Sequence, residues 1–312
     1  MCWNVEIKLN YNKHTYLTLE ALKNHMPTKD YFVGIDSDGT VFDSMEVKHK
    51  DCFVGSLIRI FELAAIAHEV HLVWNHVNIF SNTRGTNRFK ALILTFNYLR
   101  EIDRVKQLGI HFPKLNILKQ WTKKDKILSN ESLMNLINGS VPEERLVLIK
   151  ILKWSEEVNR TVKNTVFNLP PLEGAKTAMV SLKPHADIMV ISNTPLDTLH
   201  REWSENEIFS NVLYIGGQET GTKTEMLMHA AKQKYDNDKI LVIGDSPGDL
   251  YAAKNVEALF YPILPTKEIH AWDNFNKEYL DVFLKGDYSG EKEKRQIEEF
   301  NTILKSTPPW AK

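Results

Sequence analysis

The chain has 312 residues, of which 43% are hydrophobic and 25% are charged, and this composition is ordinary for a globular protein of one large or two moderate domains. Its 39 lysines and arginines nearly equal its 40 aspartates and glutamates, without a long run of one sign. This balance argues against a nucleic-acid surface or a basic membrane patch. We therefore expect a small-molecule partner, while the oligomeric state stays open.

Cysteine usage and the N-terminus indicate the compartment. Cys2 and Cys52 are too few for a disulfide framework and too far apart for a CxxC element, which fits a reducing compartment. A bound metal would therefore use oxygen ligands. The N-terminus lacks a basic start followed by an apolar stretch, and no run of about 18 apolar residues occurs, so we expect a cytoplasmic protein.

Short apolar segments predict the strands of a parallel sheet. Their continuous apolar character suits a sheet that is covered on both faces. The predicted strands are residues 31–36, 186–192, 211–217, 239–245 and 257–263. Helical patterns alternate with the later strands, which predicts a doubly wound α/β domain with its ligand at the carboxyl ends of the strands.

The interval of about 150 residues between the first two strands is too long for an ordinary crossover. Its apolar residues recur at helical spacing, which predicts an inserted all-helical domain over residues 46–167. The α/β core is then discontinuous, over residues 1–45 and 168–285. Residues 286–312 form a C-terminal helical extension that either packs on the core or binds a partner.

The segment DSDGT follows the first strand and places Asp36 and Asp38 at the carboxyl edge of the sheet. Gly39 permits a sharp turn immediately afterwards. One interpretation is a site in which both carboxylates do chemistry. The alternative is a simple turn in which the aspartates bond to backbone groups.

Three further segments end at the same edge. The second strand is followed by Ser192 and Asn193, and Lys223 begins the helix after the third strand, where a cation opposes the helix dipole unless an anion compensates. The fourth strand is followed by Asp245 and, one turn later, by Asp249. These two aspartates either cap the next helix or join Asp36 in an oxygen-ligand magnesium site.

In this order, the four segments resemble the motifs of the haloacid dehalogenase-like hydrolase superfamily, whose first motif is DxDGT. Here the motifs stand as DSDGT, Ser192, Lys223 and GDSPGD, and they span about 70% of the chain. The inserted helical segment also resembles the cap domain of that superfamily at its first insertion point. At roughly 120 residues it is longer than a usual helical cap.

The resemblance implies a phosphatase with a Rossmann-like core, a phosphoric monoester hydrolase that uses Mg²⁺. Asp36 would attack phosphorus to form an aspartyl-phosphate, and Asp38 would act as the acid and base. Mg²⁺ would be held by Asp36, the backbone carbonyl of Asp38 and Asp245.

The phosphate oxygens would be held by Ser192, Lys223 and backbone N–H groups that include Asn193. Asp249 would orient Lys223 or a metal-bound water. Asp38 favours phosphate esters, because the dehalogenating and phosphonate-cleaving branches lack an acid there. Two alternatives stay open: a phosphomutase of the same superfamily, and a non-catalytic protein that binds a partner through the insert and tail.

Candidate substrate contacts in the insert come from two stretches. Lys48 and His49 follow the first motif at the start of the first helix of the insert. Arg84, Asn87 and Arg88 lie in SNTRGTNRF, at the beginning of a long helix whose positive end favours an anionic or hydroxyl-rich ligand. The alternatives are a solvated helix start for the first stretch and a structural salt bridge for the second.

Overall fold

The computed structural model describes residues 17–125 and 127–311. Residues 1–16, which include Cys2 and part of the predicted core segment, lie outside the described residues. Within the described ranges, no helix combines the length and the apolar character that are needed to cross a bilayer.

In the described part of the chain, five parallel strands form one sheet with the order β3-β2-β1-β4-β5. The strands are β1 (Tyr31–Ile35), β2 (Ala186–Ile191), β3 (Tyr214–Gly216), β4 (Ile240–Gly244) and β5 (Leu259–Pro262). The predicted doubly wound α/β fold is confirmed. The third and fifth strands are shorter than predicted, and residues 209–211 form a 3₁₀ turn before the third.

The helices fall into two groups, with α1 (Leu19–Lys23) preceding the sheet. Those between β1 and β2 are α2 (Met45–Val47), α3 (Gly55–Phe61), α4 (Ala67–Asn75), α5 (Arg88–Glu101), α6 (Asp103–Gln107), α7 (Asn116–Lys124), α8 (Asn130–Gly139) and α9 (Pro142–Thr165). The π-helical stretch Lys48–Val54 joins α2 to α3. This group has its own hydrophobic core, which is separate from the core around the sheet.

The remaining helices cover the sheet. They are α10 (Ala175–Leu182), α11 (Leu196–Glu205), α12 (Lys223–Ala230), α13 (Pro247–Asn255), α14 (Glu268–Asn274), α15 (Leu280–Leu284) and α16 (Glu291–Ile303). Sequential β-α units explain this layering, since each crossover returns over one face of the sheet.

The C-terminal extension packs on the core and then reaches the insert. Phe300 on α16 is fully buried in the core cluster, as the packing alternative predicted. Beyond the helix, the Lys305 backbone N–H donates to the Phe80 carbonyl at 3.1 Å. The Trp310 ring then packs edge-on against Tyr98 of α5, with centroids 5.5 Å apart. The tail therefore connects the core to the insert.

Candidate active site

The carboxyl edge of the sheet brings the predicted residues together. Ile35 at the end of β1 is paired with Val190 of β2 and Ile243 of β4, so the residues that follow these strands lie side by side. Those residues include Asp36, Ser192 and Asp245, which are all buried. The prediction that these side chains share one edge follows directly from the parallel register.

Asp36 and Asp249 share the ammonium group of Lys223. Lys223 Nζ lies 2.6 Å from Asp36 Oδ2 and 2.6 Å from Asp249 Oδ1. The other oxygen of Asp36 accepts a hydrogen bond from the Ser37 N–H at 2.7 Å. Asp249 Oδ2 accepts from the Ser246 N–H and hydroxyl, at 3.0 and 2.6 Å, and so caps α13. Asp249 therefore caps its helix, one of the two alternatives for this residue, and also contacts Lys223.

Asp245 is held by groups from the first motif and from the insert. Thr40 Oγ1 donates to Asp245 Oδ1 at 2.9 Å. Arg84 donates to Asp245 Oδ2 through Nε at 2.7 Å, with Nη2 2.6 Å from the same oxygen. Gly39 has a φ of 74°, and a Cβ there would collide with Asp245 Oδ2 and lie 2.7 Å from Arg84 Nη2. Glycine at this position is thus needed for both the turn and the ion pair.

Asp38 lies in a network of its own. Its Oδ1 is 2.6 Å from Lys48 Nζ and accepts a hydrogen bond from the Ser44 hydroxyl, while Oδ2 accepts from Thr194 Oγ1 at 2.6 Å. Lys48 also lies 2.7 Å from Glu202 Oε1. Burial favours the protonated acid, but the Lys48 charge and these hydrogen bonds outweigh it and lower the pKa of Asp38 to about 2.

The donor set at the edge fits a divalent cation. Asp36, Asp245 and Asp249 each offer an oxygen, and these oxygens lie within 4.8 Å of one another. Lys223 and Arg84 supply two positive charges for these three carboxylates, so all three can be ionised together only with a further positive charge. Burial raises the pKa of Asp36 and of Asp245 even though Lys223 and Arg84 oppose it. The site thus offers the oxygen ligands that Mg²⁺ prefers, and it lacks the positive charge that Mg²⁺ would bring.

A cavity of about 790 Å³ opens beside this cluster, between the core and the insert. Ser192 and Asn193 line it together with Asp36 and Lys223, as expected for groups that bind phosphate. Ser192 Oγ also accepts a hydrogen bond from the Thr194 N–H at 3.2 Å, which fixes the loop after β2. The volume is typical of a small-molecule site.

The insert residues that the sequence singled out differ in their placement. Arg84 is buried on Asp245 and is not among the residues that line the cavity, so its placement favours the salt-bridge alternative over a substrate contact. Lys48 lines the cavity, but its ammonium is engaged by Asp38 and is not free at a solvated helix start. Asn87 also lines it, yet its amide caps α5 and donates to a backbone carbonyl. His49 and Arg88 line the cavity as predicted.

Two buried tryptophans that the sequence did not single out support the loop after β1. Trp203 Nε1 donates to the Ser37 hydroxyl at 3.1 Å, and Trp272 Nε1 donates to the Thr40 carbonyl at 2.8 Å. The sequence also missed Glu202, the buried acid beside Lys48. The available signal was its position on α11 next to Trp203, where a charged residue falls on an apolar helix face.

No family model matches the chain, and no curated protein matches it. Solved structures with similar folds include a protein from Haemophilus somnus described as a predicted phosphoglycolate phosphatase, with 13% identity and a TM-score of 0.48 over 76% of this chain and 86% of that one. A protein from Bacteroides vulgatus, provisionally described as a beta-phosphoglucomutase, has 14% identity and a TM-score of 0.42 over 83% and 91%.

A haloacid dehalogenase-like family hydrolase from Xanthomonas campestris has 9% identity and a TM-score of 0.46 over 85% of this chain and 98% of that one. These identities and TM-scores are too low to assign an activity to this chain. The function is therefore argued from the geometry of the site.

Proposed function

We propose that this chain is a cytoplasmic, Mg²⁺-dependent phosphohydrolase that cleaves a small phosphorylated metabolite through an aspartyl-phosphate intermediate. The observation that carries the proposal is the convergence of Asp36, Asp245, Asp249 and Lys223 beside a cavity, with Asp38 in a separate network on the same wall. Three clustered carboxylates and a lysine suit the electrostatics of phosphoryl transfer better than a purely structural role.

Asp36 is the nucleophile in this proposal. It lies on the cavity wall, and Lys223 and the Ser37 N–H fix the direction of its two oxygens. A carboxylate must be ionised to attack phosphorus, and burial raises the pKa of Asp36. The site therefore needs an added positive charge to bring the nucleophile into its reactive form.

Asp38 is the general acid and base. Because its pKa is about 2, Asp38 is a carboxylate at neutral pH, the form that can accept a proton from the water that hydrolyses the intermediate. Protonation of the leaving oxygen requires that Asp38 first take up a proton. The charge of a phosphate ester beside Asp38 favours that uptake, because a neighbouring negative charge raises the pKa of an acid.

Asp36, Asp245 and the Asp38 backbone carbonyl would hold Mg²⁺, with Asp249 in support. When bound, the cation would neutralise charge on the nucleophile and on the phosphate oxygens. Lys223 and Ser192 would hold those oxygens together with the backbone at Asn193, while the insert excludes water from the cavity.

The test is phosphate release from p-nitrophenyl phosphate and a panel of phosphorylated metabolites, with Mg²⁺ and with EDTA. We expect metal-dependent release that Asp36→Asn lowers about 1000-fold or more without loss of the fold, as removal of a nucleophile does. Asp43→Asn is the matched control, because Asp43 lies in the same loop but is exposed. Near-normal turnover by Asp36→Asn would overturn the assignment of the nucleophile.

The same assay separates the alternatives. An isomerised sugar phosphate without phosphate release would indicate a phosphomutase. No reaction with any ester, together with a partner bound equally well by a variant that lacks Asp36 and Asp38, would favour a non-catalytic binding protein.

A further inference from the structure

Arg88 is a cation of the cavity wall that is bonded only to neutral groups. Its Nη1 donates to the Ser155 carbonyl at 3.2 Å, to Ser155 Oγ at 3.0 Å and to Asn159 Oδ1 at 2.7 Å. Among the described residues, neither Nε nor Nη2 has a hydrogen-bond partner, and no carboxylate lies within 4.0 Å of the guanidinium. The Nε and Nη2 groups of Arg88 can thus donate hydrogen bonds to a ligand.

Arg88 differs in this respect from the other cations near the site. Lys223 is paired with Asp36, and Arg84 with Asp245. Burial lowers the pKa of Arg88 to about 10, and no neighbouring acid opposes this effect. Arg88 is half-buried. Since partial burial of a charge without a counter-ion is costly, an anion in the cavity would supply the missing partner.

The surroundings of Arg88 suit an anion further. Lys163 lines the cavity one helical turn from Asn159 on α9, and its ammonium forms no ion pair with any described residue. Arg88 begins α5, whose positive end adds to the local potential. Its guanidinium lies 5.1 Å from the centroid of the Phe53 ring, which limits the positions the side chain can take.

His49, also on the cavity wall, adds a neutral donor. Burial, with smaller effects from nearby cations, lowers its pKa to about 3, so the ring is uncharged at neutral pH. Trp74 Nε1 donates to His49 Nδ1 at 3.0 Å, which places the ring proton on Nε2. A substrate oxygen in the cavity can accept that proton as a hydrogen bond.

On the basis of the function proposed above, we infer that Arg88 and Lys163 bind a second anionic group of the substrate. The substrate class is a phosphomonoester whose leaving group carries a carboxylate or another phosphate. The reacting phosphate lies at Asp36, and the second anion lies on the insert side of the cavity. Arg88 is then a residue that determines specificity by direct contact with the substrate.

The test compares kcat/KM for matched pairs of esters. 3-Phosphoglycerate and glycerol 3-phosphate differ by a carboxylate, and fructose 1,6-bisphosphate and fructose 6-phosphate differ by a phosphate. We expect the two-anion member of at least one pair to be preferred and Arg88→Gln to reduce that preference about tenfold or more. The pair that responds identifies the anion. Lys163→Gln should act in the same direction, and exposed Lys90→Gln on the same helix should have no effect.

An equal loss for both members of each pair would overturn the inference and assign Arg88 a structural role through Ser155 and Asn159. If Arg88→Gln fails to fold, the Lys163→Gln variant provides the test, because Lys163 is exposed. An unchanged preference of Lys163→Gln for the two-anion ester would refute the subsite.

Calorimetric binding of 3-phosphoglycerate and fructose 1,6-bisphosphate separates this inference from the proposed function. Binding that Arg88→Gln weakens about tenfold, without turnover by the wild type, would retain the subsite and reject the hydrolase. Phosphate release without a preference for either two-anion ester would retain the hydrolase and reject the subsite.

Discussion

Replacing Arg84 by methionine should destabilise the protein far more in EDTA than in Mg²⁺. The Arg84 and Asp245 side chains are each 2% exposed, and Nε and Nη2 both contact Asp245 Oδ2, at 2.7 and 2.6 Å. Removing one partner of such a pair costs about 3–5 kcal/mol, because the other charge stays buried. At about 2–4 °C per kcal/mol, the Tm should fall by about 10 °C.

Bound Mg²⁺ changes this result, because it supplies the positive charge that Arg84→Met removes from Asp245. With excess Mg²⁺ we expect the loss to shrink to about 2 kcal/mol or less, mostly lost packing and the bond from Nη1 to the Ile79 carbonyl. By linkage, the variant should bind Mg²⁺ more tightly than the wild type. Calorimetric unfolding with EDTA and with Mg²⁺ measures both quantities.

Arg160→Met is the matched control, since Arg160 is 63% exposed and pairs with Glu157 on the surface. Its loss should stay below about 1 kcal/mol in both buffers. An equal fall in the Tm of Arg84→Met with and without Mg²⁺ would show that Asp245 does not contribute to a cation site.

Two further predictions concern the stability of the fold away from the site. Burial raises the pKa of Asp187, but hydrogen bonds from Thr28 and Tyr235 outweigh it and lower the pKa. Asp187→Asn should therefore lower the free energy of unfolding by about 1–3 kcal/mol at neutral pH, as measured by urea unfolding. This difference should shrink below about pH 4, where Asp187 of the wild type becomes protonated. A difference that does not change with pH would contradict the prediction. Trp310→Ala should cost about 1 kcal/mol through its lost contact with Tyr98, and unchanged urea unfolding would show that the tail does not hold the insert.

The strands and the site residues of the core could be predicted because both depend on short stretches of sequence. The strands read as continuous apolar runs, and each site residue of the core lies directly after a strand or in the first turn of the next helix. Parallel pairing then brings Asp36 and Asp245 to one edge whatever the insert does. The bounds of β3 and β5 were less accurate, because the apolar runs 211–217 and 257–263 extend beyond the residues that pair as strands, Tyr214–Gly216 and Leu259–Pro262.

The insert was predicted as helical, but the partners of its charged residues were not. Arg84 and Asp245 are 161 positions apart, and their contact depends on how the insert sits on the core. No spacing rule encodes that placement. Lys48 is similar, because its position in the sequence looks like a solvated helix start while its ammonium is buried between Asp38 and Glu202.

Ion pairs connect the insert to the core at the site itself. The insert supplies Arg84 to Asp245 and Lys48 to Asp38, so two core carboxylates that the proposed chemistry uses are neutralised from outside the core. Moving the insert away would leave both acids with their core hydrogen bonds but without their cationic partners. The tail ending at Trp310 opposes the same movement, because it spans from α16 to the insert. A cation bound at Asp245 would lower the cost of such a movement, so metal occupancy and access to the cavity would be thermodynamically coupled.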